Sequence, residues 1–287
     1  MTTLNEQNIK ETVQEKYGEI AEKNRTEISA GCCGTSCGCG DVDLMADDYS
    51  TLQGYVADAD LGLGCGLPTE FAKIKPGDTV IDLGSGAGND AFVARSVVGE
   101  TGRVIGIDFT QKMIDRARQN AEKLKYSNVE FRLGDLEDMP VYDSMADVVV
   151  SNCVLNLVPN KARAFQETFR VLKPGGHFSI SDIVIDGKLP EDLKQAAELY
   201  VGCVAGAINK MDYLDLIYQT GFRKLKLQKE KVISLPDETV AQYLNEEEMK
   251  LYKDSGARIL SITVYGEKPD KLAVKEEKGC CGPECCN

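Results

Sequence analysis

From Thr79 onward the chain alternates between two spacings of apolar residues. TVIDLG, RVIGID, VEFRLGD, ADVVVSN and HFSISDIV are short apolar runs, of which the stretch around His177 alternates. Between them, DAFVARSVV, QKMIDRARQNAEKL and KARAFQETFRVL carry apolar residues three or four apart. Continuous runs suit strands buried on both faces. Helical segments of roughly ten to fifteen residues between such runs predict βαβ units and a parallel sheet covered on both sides. Five strands are expected on this pattern. After Pro190 the alternation ends in a long amphipathic stretch, EDLKQAAELYVGCVAGAI, and a second helix, MDYLDLIYQTG, which Gly221 should cap. FRKLKLQKEKVISL and RILSITVYGEKP then read as two final strands, with residues 235 to 256 helical and linking. At the other end, Ile9, Val13, Tyr17 and Ile20 predict an opening amphipathic helix over about residues 8 to 24.

Composition narrows the class. With 43% hydrophobic residues and no apolar run near the ~20 residues of a membrane span, a soluble globular protein is expected. MTTLNEQNIKETVQEK lacks a signal peptide's apolar core, so the expected location is cytoplasmic, with no membrane partner. The net charge of -13 offers no basic stripe to a phosphate backbone, which argues against nucleic acid. Eleven cysteines are unusual for such a chain. Eight fall into two clusters, GCCGTSCGCG and GCCGPECCN, and three stand alone as Cys65, Cys153 and Cys203. In a reducing cytosol this pattern points to thiolate chemistry rather than a disulfide scaffold. The sole histidine, His177, lies in a strand-like stretch and reads as structural.

One turn carries the first chemical signal. TVIDLG runs into GSGAGND, which places Gly84, Gly86 and Gly88 where a strand becomes a helix and the backbone can approach a ligand. Asp108 ends the next strand, twenty residues after Gly88, and is suited to accept hydrogen bonds from ribose hydroxyls. A dinucleotide fingerprint would have a further glycine where this chain has Asn89, so the pattern favours S-adenosylmethionine, which has no pyrophosphate. Asp135 ends the third strand near the adenine position, a role that Glu137 or a backbone group could fill instead.

The lone cysteines carry the second. Ligands of open α/β sheets sit beyond the carboxyl ends of the strands. Cys153 ends the fourth strand, Cys65 lies in the glycine-rich LGLGCGLP just ahead of the first, and Cys203 follows the fifth. Three soft thiolates without histidine suit a thiophilic centre, and trivalent arsenic bound by three sulfurs keeps its lone pair. That lone pair can attack a sulfonium methyl directly. It carries no proton to remove, so the scarcity of histidine ceases to be a puzzle.

LGLGCGLP, VIDLGSGAGND, GIDFTQKMIDRARQN, SNCVLNL and YVGCVAG together resemble the arsenite S-adenosylmethionine methyltransferases over roughly residues 8 to 268. The resemblance implies a Rossmann-like class I methyltransferase fold, α/β, with a mostly parallel seven-stranded sheet and a smaller C-terminal α+β portion. The implied organisation is an N-terminal helix and Cys-rich segment (1–40), a cofactor-binding domain (41–190), a substrate-binding portion completing the sheet (191–268) and a Cys-rich tail (269–287). Cys65, Cys153 and Cys203 would bind As(III). The implied cofactor set is Asp82, Gly84, Ser85, Gly86, Gly88, Asp108, Phe109, Met113, Gly134, Asp135, Leu136, Glu137 and Asn152. A thiol reductant, thioredoxin or glutathione, would be co-substrate, and arsenite or its thiol conjugates the substrate. An amino-terminal cysteine, best matched by Cys37, would pair with Cys65 during turnover. Two rival readings follow from the same residues: methylation of a small organic acceptor, which needs a base in the cleft, and a metalloid-buffering protein.

Overall fold

A computed structural model describes residues 2–23, 47–190, 193, 204, 206–235, 237–241 and 243–270. Cys37, Cys203, both cysteine clusters and most of the stretch after Pro190 lie outside the described residues. The chain opens with helix α1 (Thr2–Ile20) and continues with a single turn of helix, α2 (Pro68–Phe71). The alternating region follows: β1 (Thr79–Leu83), α3 (Asn89–Val98), β2 (Arg103–Asp108), α4 (Gln111–Lys123), β3 (Val129–Leu133), β4 (Ala146–Asn152), α5 (Lys161–Val171) and β5 (Leu172–Asp186). The last elements are α6 (Lys210–Thr220), β6 (Arg223–Ile233), the short α7 (Asp237–Val240), α8 (Glu246–Ser255) and β7 (Arg258–Glu267).

All seven strands form one sheet in the order β3-β2-β1-β4-β5-β7-β6. The first five are parallel, and β7 runs antiparallel between β5 and β6. The seven-stranded, mostly parallel α/β sheet expected from the sequence is therefore present. β1 begins the chain's path through the sheet, and the order reverses between β1 and β4, leaving a crevice at their carboxyl ends.

Alternate residues of the buried strands feed two apolar layers. Val80, Val104, Val148 and Val150 pack with Phe92 of α3 and Met113, Ile114 and Ala117 of α4. Their neighbours Ile81, Leu83, Ile105 and Val149 pack on the other face with Phe165 of α5 and Tyr213 and Ile217 of α6. Each such side chain contributes about 1.5 to 3 kcal/mol by leaving water, so both faces hold the strand ends rigidly in place. A third cluster, at the end of β5 and the start of β7, includes Cys65, Cys153, Ile183, Val204 and Ile259. As expected, Gly221 caps α6 in the left-handed conformation. His177 is structural: its Nε2 lies 2.6 Å from the Ala72 carbonyl oxygen.

Candidate active site

The crevice beyond β1 and β4 opens into a cleft. Its floor is the turn after β1. Gly86 has φ 50°, and a Cβ added there would project into open space, so the backbone presents a bare edge to the cleft. Gly84, also at positive φ, has the Val154 methyls so close that a Cβ would collide with them. Asp108 closes the far side. Its Oδ2 accepts from the Gly86 N–H at 3.0 Å and its Oδ1 from the Thr110 N–H at 2.8 Å. Burial pushes its carboxyl up, and these backbone bonds oppose the rise.

Four buried polar atoms around this cleft have no hydrogen-bond partner among the described residues: Asp82 Oδ2, Ser85 Oγ, Asn89 Oδ1 and Thr110 Oγ1. Leaving a buried polar group unpaired costs about 1 to 3 kcal/mol, so a cleft ringed by four of them is built for a polar ligand. Burial, with the nearby charges of Asp90 and Asp108, pushes the Asp82 carboxyl well above the usual carboxylate range. Apolar walls from Leu61, Leu63, Leu157 and Val158 complete it. Polar ends and an apolar middle fit an adenosine sulfonium such as S-adenosylmethionine.

Most of the expected cofactor residues line this cleft: Asp82, Gly84, Ser85, Gly86, Asp108, Phe109, Met113, Asp135, Leu136 and Asn152. Three do not. Gly88 caps α3 with φ 101°, where a side chain would strike Phe92 and Phe131, so it serves helix packing. Gly134 lies against Pro140, and Glu137 is turned to the Asn160 N–H, 3.0 Å away, and to Lys10, 3.1 Å away. Sequence reasoning missed Lys10 and Tyr17 of α1, as well as Tyr49, Asp60 and Asp90. Only Asp90, adjoining the glycine turn, had a local signal. The others come from loops or helices distant in sequence.

Asn152 ties the cofactor cleft to the thiols. Its Oδ1 accepts from the Cys65 N–H at 3.0 Å, while its Nδ2 donates to the Tyr49 hydroxyl at 2.5 Å and the Gly66 carbonyl at 2.8 Å. Tyr49 in turn donates to Asp90 at 2.9 Å. Burial pushes the Asp90 carboxyl up to about 6, although bonds from Tyr49, Asn152 and Thr69 favour its charged form. The glycines on either side of Cys65 permit this docking. A Cβ on Gly64 would come within 2.5 Å of Asn152, and one on Gly66 within 2.5 Å of Ser181. Ser261 Oγ fastens the loop from the other side, 2.6 Å from the Cys65 carbonyl oxygen.

Cys153 stands directly after Asn152 with φ 61°, a left-handed conformation that a β-substituted residue adopts at a cost. Its N–H donates to the Ser181 carbonyl at 2.8 Å, which turns the chain sharply off the strand. Cys153 lines the cleft, and it shares an apolar cluster with Cys65; both are buried. The structure thus brings two of the three expected thiols to the same end of the sheet. Val204 belongs to that cluster too, and Gly206 lies so close to Asn156 that a Cβ would collide with its carbonyl oxygen.

A family model described as a methyltransferase domain matches residues 74–251. The chain is 38% identical over 269 residues to an arsenite methyltransferase of Halobacterium salinarum, covering 91% of this chain and 66% of the relative. An arsenite methyltransferase of Aquipseudomonas alcaligenes is 34% identical over 245 residues, covering 82% and 68%. The crystal structure of an arsenic(III) S-adenosylmethionine methyltransferase from Chlamydomonas reinhardtii superposes with a TM-score of 0.60 at 35% identity, over 70% of this chain and 66% of that one. The chain spans about two thirds of the length of these relatives.

Proposed function

Because the chain belongs to the arsenite methyltransferase family, we propose that it transfers the methyl group of S-adenosylmethionine to trivalent arsenic held by cysteine thiolates, as a step in arsenic detoxification. One observation carries the reading. Asn152 binds the Cys65 loop to the end of β4, so that the thiols of Cys65 and Cys153 share a buried wall bordering a cleft ringed by unpaired polar atoms.

S-adenosylmethionine would supply an electrophilic sulfonium methyl. Asp108, the Gly84 to Gly86 edge and Asp82 would hold its polar ends, and Asp135 or Leu136 its adenine. Cys65 and Cys153 would bind the substrate arsenic, with Cys203 as third ligand; its neighbour Val204 packs in the thiol cluster. The apolar residues Leu61, Leu63 and Val158 would exclude water. Because the arsenic lone pair is the nucleophile, the chain's role is to align two reactants, a contribution of up to about 7 to 11 kcal/mol. Turnover would consume a thiol reductant, thioredoxin or glutathione, with Cys37 as the thiol that pairs with Cys65. A reducing cytoplasm suits this chemistry.

Incubation with arsenite and methyl-labelled S-adenosylmethionine is the test. Label should appear in methylated arsenic, and Cys153→Ser should lower its formation by at least ~100-fold while cofactor affinity, read by calorimetry, stays within ~3-fold. Arsenite binding without label transfer would instead identify a metalloid buffer. Full activity in Cys153→Ser would refute the site.

A further inference from the structure

A second group of unpaired polar atoms lies beside the thiols, apart from the cofactor cleft. Asp182, on β5, is fully buried. Its Oδ2 accepts from the Tyr213 hydroxyl at 3.0 Å, and its Oδ1 has no hydrogen-bond partner among the described residues. Asn156 lies in the short 3-10 turn that follows Cys153, and its Nδ2 donates to the Ile183 carbonyl at 2.8 Å. Its Oδ1 also lacks a partner among the described residues. The two residues are neighbours: the backbone N–H groups of Ile183 and Asn156 favour the charged form of Asp182 without closing a hydrogen bond to Oδ1. Burying two acceptors without donors is costly unless something that donates occupies the place.

Two features link the locus to the thiols. Asn156 follows Cys153 by three residues in the turn that the Cys153 N–H, bonded to the Ser181 carbonyl, starts at the edge of β5. Tyr213, which donates to Asp182, has its hydroxyl pushed well up by burial and by the charge of Asp182, with charge on Cys65 and Cys153 adding to the effect. Two thiols, a phenol and a buried acid therefore interact in one region.

The substrate chemistry supplies the missing donor. Arsenite near neutral pH is As(OH)3, with three O–H groups, and each As–O bond must be exchanged for As–S. Every exchange, R–SH + As–OH → R–S–As + H2O, breaks S–H and As–O and forms As–S and O–H. A proton must therefore pass from the thiol to the departing hydroxide. We propose that Asp182, oriented by Tyr213, carries this proton, its Oδ1 taking it from the incoming thiol and returning it to the hydroxide, while Asn156 Oδ1 accepts a hydrogen bond from an arsenic-bound hydroxyl. Nothing is oxidised or reduced, and Asp182 ends as the carboxylate it began as.

The surroundings suit that task. Burial pushes the Asp182 carboxyl up to about 7, against the opposing pull of the Tyr213 bond and the Lys161 charge. Both protonation states are then present near neutrality, as general acid–base work requires. Lys161, itself lowered by burial, donates to the Asn156 and Val158 carbonyls at 3.2 Å each. Lys161 and Tyr213 act on Asp182, and the charges of the two thiols act in turn on Tyr213.

This inference rests on the proposed function, and the test separates the two. Stopped-flow absorbance of the arsenic–thiolate charge-transfer band would follow capture of arsenic by the full chain from two donors, As(OH)3 and a preformed tris(thiolate) complex. A thiolate leaves far more readily than hydroxide and gains little from an acid. Asp182→Asn should slow capture from As(OH)3 by ~100-fold or more and capture from the thiolate complex at least ~10-fold less than that, because with a good leaving group only the base half of the transfer is lost. Tyr213→Phe, which keeps the ring and removes only the hydroxyl, should slow the As(OH)3 reaction several-fold and shift its pH profile, and it decides the matter should Asp182→Asn fail to fold. Equal slowing with both donors, or no slowing, overturns the assignment of Asp182 alone. No band in the wild-type chain removes the arsenic reading, and this inference with it.

Discussion

At Asn152 a single side chain serves two sites. Its amide oxygen holds the backbone of Cys65, and its amide nitrogen holds Tyr49 and lies 3.3 Å from Asp90. Asn152→Ala should leave the Cys65 N–H and the Tyr49–Asp90 pair without this partner. A loss of about 1 to 3 kcal/mol is expected, read as a lower denaturant midpoint. Arsenite affinity should fall at the same time, because the loop that carries Cys65 is released. A stable variant with unchanged arsenite affinity would remove Asn152 from its role as the link. Asp108 is a second case of one side chain with two tasks, since it fixes the glycine turn and also lines the cleft. Asp108→Ala should weaken cofactor binding by about 1.5 to 3 kcal/mol, measurable by calorimetry. Asp108 and Cys153 were legible in the sequence because each stands at the end of an apolar run, Asp82 because it adjoins the glycine turn, and Cys65 because it stands in a glycine-rich loop. The strain at Cys153 was not, since a φ of 61° depends on where β5 offers the Ser181 carbonyl. Nor was Asp182, one polar letter in a strand, whose meaning comes from Tyr213 and Asn156 across the sheet.

Helix α1 was legible as an amphipathic element, but its pattern does not say what it covers. It lies over the cofactor cleft. Lys10 reaches Asp135 at 2.6 Å and Gln14 donates to the Phe109 carbonyl at 2.7 Å. Behind it, Arg116 of α4 donates to the Ala21 carbonyl at 2.9 Å. Burial alone would lower the Lys10 ammonium, but its bonds to Asp135 and Glu137 outweigh that and hold it above its ordinary value. These links are part-buried ion pairs and single hydrogen bonds, each worth about 1 kcal/mol or less, beside the packing of Tyr17 and Ile20 on the core. Removing residues 2–20 should lower the thermal midpoint modestly and speed cofactor dissociation by ~10-fold or more, in line with the few kcal/mol that these bonds supply together. Surface-plasmon or stopped-flow release of S-adenosylhomocysteine would measure it. An unchanged release rate would mean that α1 does not close the cleft. The central strands were legible for the opposite reason: the apolar runs of β1, β2, β4 and β5 are buried on both faces, whereas the edge strands β3 and β6 alternate or lie exposed.

Across the whole molecule, the two polar loci impose a common pH dependence. Burial raises the carboxyls of Asp82, Asp90, Asp108 and Asp182, with Asp90 near 6 and Asp182 near 7. An unfolded aspartate titrates near 3.9, so between about pH 4 and pH 7 the folded chain binds more protons than the unfolded one. Stability must then fall as pH rises through that window, because its slope follows the protons bound in the unfolded state minus those in the folded state. Asp182 alone, shifted by roughly three units, corresponds to about 4 kcal/mol once fully ionised. Burial would also raise Glu130 and Glu167, but hydrogen bonds from arginines outweigh it and hold both low, so these groups favour higher pH. Held below their ordinary value, they titrate at lower pH than Asp90 and Asp182, which lie near 6 and 7. The net charge of -13 adds self-repulsion in the same direction as the buried acids, since it grows as the remaining carboxylates ionise. Thermal melts should therefore show a higher midpoint at pH 5.5 than at pH 8. Asp182→Asn should raise the pH 8 midpoint toward the pH 5.5 value and change the latter little, because the amide cannot ionise. A wild-type midpoint that rises steadily to pH 8 would show that these acids ionise freely in the folded chain. The unpaired oxygens would then be solvated rather than held dry for a ligand.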